Sequence, residues 1–210
     1  LPDPELIADE PARPAVTGSE VVYEGRIWDV RRETFEYNEH TLVREFIAHT
    51  GAVAVLALDE QGRVLLIRQY RHPIRQREWE IPAGLLDVAG ESPLAAAQRE
   101  LAEEADLTAA EWNVLAEFCS SPGSSSELIR IYLARGINAT GAAFARTEEE
   151  ADIEVAWVDL DEVVDGVLAR RLQNPSLAIG AMAAKIARER GWESLGDPEE
   201  PWSRHPRFAG

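Results

Sequence analysis

The sequence predicts an α+β sandwich, and three observations carry that prediction. Strand-like runs come first, one acid-rich helical stretch follows at 90–107, and further strands and then two helices close the chain. The run 51–58, Gly-Ala-Val-Ala-Val-Leu-Ala-Leu, is almost unbroken in apolar character, as expected of a central strand buried on both faces. A chain of 210 residues that is 45% hydrophobic can build one sizeable core.

Taken in order, residues 1–18 hold Pro2, Pro4, Pro11 and Pro14 among acids and read as a flexible tail. Residues 19–49 form a strand block: 20–24, 27–35 and 41–48, with Asn38, Glu39 and His40 as a turn. Residues 50–192 form the main domain. Within it, Gln61-Gly62 turns the central strand into a hairpin partner at 64–70, and 79–81 is a short strand. After the acid-rich helix come strands at 112–118, 128–134 and 153–158. Helices follow at 161–171, with Asp161 as N-cap, and at 176–190. Residues 193–210, rich in Pro, Gly and charge, read as a second tail that Trp202 and Phe208 can anchor.

Composition narrows the function. A net charge of −17 with no basic stripe excludes a nucleic-acid partner. No apolar run reaches the length of a membrane span, and no signal peptide opens the sequence, so no membrane association is expected. The single cysteine, Cys119, rules out an internal disulfide and points to a reducing cytoplasm.

The acid-rich helix is the most informative segment. Leu94, Ala97, Leu101 and Ala105 share one stripe, and Glu100, Glu103 and Glu104 cluster beside it at i, i+3 and i+4. Like charges so placed repel by a few tenths of a kcal/mol per pair, so a cation must offset them or solvent must screen them. Oxygen-only ligands on one rigid face suit a hard divalent cation, Mg²⁺ or Mn²⁺. Such ions also reconcile an acidic protein with an anionic ligand.

Glu91, Arg99, Glu100, Leu101, Glu103, Glu104 and Leu107 together match Glu, seven residues, Arg-Glu-apolar-any-Glu-Glu and a later apolar residue. This pattern resembles the Nudix box, and the chain is identified as similar to the Nudix hydrolases, which cleave a nucleoside diphosphate linked to another moiety. Two departures stand out. The box's opening Gly falls at Leu85, with Gly84 one position early, and the Gly that ends the box helix is Asp106. The resemblance implies an α/β/α sandwich with a mixed sheet.

Three features outside the box resemble the ADP-ribose pyrophosphatase subgroup: Pro122, the segment 69–87, and the acidic loop Thr147-Glu148-Glu149-Glu150-Ala-Asp152. The resemblance implies two or three Mg²⁺ ions, or Mn²⁺ in their place, held by Glu100, Glu103 and Glu104 with the backbone carbonyl of Ala83. It implies that Arg71 contacts the pyrophosphate, that Glu80 lies in the nucleoside pocket, that Glu149 or Glu150 is the general base or an outer metal ligand, and that Glu104 is catalytic as a metal ligand. Glu148 competes for the role of base. It also implies a homodimer that exchanges residues 19–49, bringing Trp28 over the partner's adenine, with Arg44 approaching from the same edge and Phe46 as a second aromatic face. Arg99, one residue before the ligands, is expected to point away from them and brace the loop 84–91. The implied reaction is hydrolysis of ADP-ribose to AMP and ribose 5-phosphate. Another nucleoside diphosphate sugar as substrate, or a sensor that binds ADP-ribose without cleaving it, are the alternatives.

Overall fold

The computed structural model describes residues 7–141 and 153–208. It resolves into two compact units, the first made of the described residues of 1–49, 121–126 and 201–210, the second of those of 50–120 and 127–200.

The first unit is built on an antiparallel meander, β1 (Val16–Tyr23), β2 (Asp29–Tyr37) and β3 (His40–Ala48). Asn38 and Glu39 both take positive φ, 49° and 64°, the geometry of a two-residue hairpin turn whose twist matches the strands it joins. Arg32 on the middle strand bridges Glu20 and Glu45 across the sheet at 2.9 and 2.6 Å, which orders an exposed face more than it stabilises it. β1 is exposed along its whole length. The end of β3 pairs with the 121–126 loop, Ile47 N–H to the Ser124 carbonyl at 2.9 Å and Ser126 N–H to the Ile47 carbonyl at 3.0 Å. In residues 201–208 the rings of Trp202, His205 and Phe208 stack in sequence, and Trp202 is buried.

The second unit holds two sheets and three helices. A mixed sheet runs β7 (Ala83–Leu85), β4 (Ala52–Ala57), β9 (Leu128–Ala139), β8 (Leu107–Cys119), with β4 parallel to β9. An antiparallel sheet runs β10 (Glu154–Asp159), β5 (Arg63–Arg71), β6 (Gln76–Glu80). β4 is buried throughout, as its apolar run requires. Its residues Ala52, Ala54 and Leu56 join one core with Ile131, Leu133, Leu160, Val163, Leu177, Ala181 and Ala184, and so pack toward α2 (Leu160–Leu168) and α3 (Pro175–Glu189). Val53 and Val55 are as fully buried on the opposite side of the strand, and α1 (Pro93–Ala105) also packs against β4. Helices therefore cover both faces of the strand.

Two local expectations are corrected. β4 and β5 are not hairpin partners: apart from an isolated bridge between Leu58 and Val64, they enter different sheets. The turn between them is sound, since Asp59 accepts from the Gln61 and Arg63 amides and Gly62 takes φ +78°. The pairing is decided by burial, because an inner strand is satisfied by β9 and β7 rather than by its sequence neighbour. The cap of α2 is Asp159, whose carboxylate accepts from the Asp161 amide at 2.8 Å. Asp161 instead forms ion pairs with Lys185 and Arg188 on α3, which hold its carboxyl below the usual range.

Candidate active site

The site is built from α1 outward. Ser92 caps the helix by accepting from the Ala95 amide, Pro93 opens the first turn, and Asp106 ends it in the left-handed region at φ 56°. The Asp in place of Gly thus does the backbone work that the C-cap requires. The inward face of α1 carries Ala96, Ala97, Leu101 and also Glu104, which is 4% exposed. The apolar stripe expected from sequence is therefore shifted: Leu94 and Ala105 are only half-buried, and a carboxylate occupies the buried face.

That placement turns two glutamates onto β7. Glu104 accepts from the Ala83 amide at 2.9 Å, a charge-assisted bond to backbone. Glu100 lies against Gly84 so closely that a Cβ there would sit 1.8 Å from its Oε1 and 1.9 Å from its Cδ. Gly84 is thus the wall of a carboxylate cradle, and any side chain at that position would fill it.

Arg99 joins the remaining acids. Its Nε and one terminal nitrogen fork onto both oxygens of Glu91 at 2.9 and 3.0 Å, and the other terminal nitrogen reaches Glu100 at 2.6 Å and Glu103 at 3.1 Å. The brace to the loop holds, but Arg99 does not point away from the cluster; it lies among the carboxylates. The guanidinium hydrogen bonds draw the Glu91 carboxyl below the ordinary glutamate range, and those same partners hold Arg99 still more firmly protonated. The i, i+4 spacing of Arg99 and Glu103 carried this signal in the sequence.

Arg71, at the end of β5, forks onto Glu80 of β6 through Nε and a terminal nitrogen at 2.8 and 2.7 Å. The Glu80 side chain is 3% exposed while that of Arg71 is 41% exposed, so the pair joins a buried acid to an outward-facing cation. Glu78, on the same strand face, has its carboxyl raised by burial and by the charge of Glu80, with Arg71 acting against both.

The structure joins Ala83 to Glu104, Glu100 to Glu103 through Arg99, and separately Arg71 to Glu80. Trp28, in the first unit between β1 and β2, is 41% exposed; Arg44 on β3 donates to the Val43 carbonyl. Glu148, Glu149 and Glu150 lie outside the described residues. Among the described residues, no three Asp, Glu, His or Cys side chains already converge to hold a metal ion. The oxygen-only donor set nevertheless fits a hard divalent cation in its chemistry. Its glutamates all come from α1, and two of them already accept from the Arg99 guanidinium.

An acidic helix face pressed onto a short strand of a mixed sheet defines the class of protein. Residues 48–177 match the NUDIX domain, and the chain belongs to the Nudix family of hydrolases. It is 39% identical over 189 residues to an ADP-ribose pyrophosphatase of Mycobacterium tuberculosis, covering 90% of each chain. It is 32% identical over 169 residues to the methanol dehydrogenase activator of Bacillus methanolicus, covering 80% of this chain and 90% of that one. In fold it is similar to a crystal structure of an ADP compounds hydrolase, with a TM-score of 0.66 at 22% identity, covering 88% of this chain and 99% of that one. Nudix hydrolases generally work with divalent metal ions. Among the described residues, no helix is long and apolar enough to cross a membrane.

Proposed function

We propose that this protein hydrolyses the pyrophosphate bond of ADP-ribose to AMP and ribose 5-phosphate in a metal-dependent reaction. The observation that carries the proposal is the carboxylate face of α1 folded onto β7, with Glu104 on the Ala83 amide and Glu100 over Gly84. It occurs in a chain 39% identical to an ADP-ribose pyrophosphatase along 90% of its length.

Glu100, Glu103 and Glu104, with the carbonyl of Ala83, would hold two or three Mg²⁺ ions, with Mn²⁺ as a substitute. When bound, such ions supply positive charge against the pyrophosphate oxygens and acidify water. Glu149 or Glu150 takes the proton of the attacking water, a transfer that matters most in the transition state. Arg71, held by Glu80 through Nε and one terminal nitrogen, contacts a phosphate oxygen of the pyrophosphate. Glu80, buried in that fork, keeps the guanidinium aimed. Glu91 and Arg99 hold the loop that follows β7 against α1.

The strand block 19–49 is proposed to be exchanged in a homodimer, so that Trp28 and Arg44 act on the partner's nucleotide. Exposed Val21, Val22, Tyr23, Ile27 and Trp28 support this, since so many large apolar residues along one strand and its turn favour burial in an interface.

The test incubates the purified protein with Mg²⁺ and a panel of nucleoside diphosphate sugars. Release of AMP and ribose 5-phosphate from ADP-ribose in preference to the others supports the proposal. Preferential cleavage of a different nucleotide sugar, or binding of ADP-ribose with no cleavage, overturns it.

A further inference from the structure

The guanidinium of Arg99 makes four hydrogen bonds to three carboxylates. Glu91 takes two of its nitrogens in a fork, and its other terminal nitrogen alone serves both Glu100 and Glu103. The side chains of Glu91 and Glu100 are 15% and 12% exposed, whereas that of Glu103 is 43% exposed. One edge of Arg99 is thus anchored on a carboxylate outside the ligand set, and the other edge rests on two carboxylates inside it.

We propose that Arg99 is a positioning residue that stands in for the divalent cation: it gathers Glu100 and Glu103 before the ion arrives and yields them when it does, while Glu91 retains it. The inference rests on the proposed ligand roles of Glu100 and Glu103. Three observations support it beyond that. Without a counter-charge, Glu100 and Glu103 would stand one helical turn apart as repelling like charges, and Arg99 supplies that charge. Glu100 also lies against Gly84 while its carboxylate accepts from Arg99 at 2.6 Å, so Arg99 engages the same carboxylate that fills the cradle. Finally, the fork to Glu91 uses both of that acid's oxygens, so Arg99 keeps a complete bidentate partner after giving up the other two.

A stand-in cation and a simple brace differ in the sign of their effect on metal affinity. A brace makes the ligands better placed, so its loss weakens binding; a stand-in competes, so its loss tightens binding. The experiment titrates full-length protein with Mn²⁺ alone, following free Mn²⁺ by electron paramagnetic resonance, and records melting temperatures with and without the ion. Arg99→Gln is expected to bind Mn²⁺ roughly fivefold more tightly, the scale of one partly exposed charge pair. Its melting temperature is expected to fall in the metal-free form and to recover with Mn²⁺. Arg99→Lys, which keeps the charge without the planar fork, is expected to bind Mn²⁺ within about twofold of wild type, and it decides the question if Arg99→Gln does not fold. Weaker or unchanged binding in folded Arg99→Gln, or markedly weaker binding in Arg99→Lys, overturns the inference. Glu100→Gln separates the two levels of the argument: a loss of Mn²⁺ affinity upholds the ligand role, and unchanged affinity overturns that role and the inference with it.

Discussion

Gly84→Ala isolates the geometry of the carboxylate cradle from the stability of the fold. The added Cβ would lie 1.8 Å from Oε1, 1.9 Å from Cδ and 2.5 Å from Cγ of Glu100, and every one of those atoms belongs to the end of a flexible side chain. Restoring ordinary carbon contact, about 3.5 Å, from 1.9 Å needs a shift of roughly 1.5 Å in the carboxylate. Gly84 is not among the positive-φ residues, so Ala meets no backbone strain there. By reducing the freedom of the unfolded chain, it can even stabilise by about 0.4–1 kcal/mol. Misplacing a reacting constellation by about 1 Å can cost on the order of 100-fold in rate. The expected outcome is an unchanged or slightly raised melting temperature together with a loss of about 100-fold in kcat/KM for ADP-ribose at saturating Mg²⁺. Thermal denaturation and steady-state kinetics on one preparation read both quantities. Near-normal turnover in the folded variant would refute the assignment of Glu100 to the site, and unfolding would refute the claim that the Glu100 side chain absorbs the clash.

The other perturbations probe separate parts of the site. Arg71→Ala leaves Glu80 buried without its partner and is expected to cost about 1–3 kcal/mol in chemical denaturation. Arg71→Lys keeps charge but loses the fork, so it should raise KM more than it lowers stability. Glu91 is held below the ordinary glutamate range in the folded protein by Arg99, so its contribution to stability is full above that range and disappears as pH falls through its lowered value. The difference in melting temperature between wild type and Glu91→Gln should therefore shrink on acidification; a difference that persists at the lowest pH would show that the carboxylate charge is not what matters. Trp28→Ala and Glu104→Gln chains, mixed and allowed to exchange, should form heterodimers more active than either parent, because one of the two sites would then carry neither change. No recovery in verified heterodimers would place Trp28 outside the partner's site.

What was legible in the sequence was local. The box helix could be read because its apolar stripe, its acids and the Asp106 that ends it lie within a few turns of one another. The acid cluster and the Glu91–Arg99 brace lie within one short stretch, so spacing sufficed. What spacing could not reach was tertiary. Gly84 stands out from the box pattern as a displaced glycine, but its reason is the approach of Glu100 from another element. The turn after β4 reads correctly as a turn, yet the strands it joins separate because β4 needs neighbours on both edges and a cover on both faces. The sequence points to Asp161 as the cap of α2, but Asp159 fills that place. Leu160 between them is fully buried in the core and lies inside the helix, while Asp161 is drawn to Lys185 and Arg188.

The most direct test of metal-dependent hydrolysis from the face of α1 uses chelator-treated protein, ADP-ribose and added Mg²⁺, with AMP and ribose 5-phosphate quantified over time. Wild type is expected to be silent without the ion and to release both products in equal amounts with it. Glu104→Gln, which can still accept from the Ala83 amide through its side-chain oxygen, is expected to fold and to lose turnover by orders of magnitude. Cleavage that persists without divalent metal, or near-wild-type release of AMP by folded Glu104→Gln, would contradict the account.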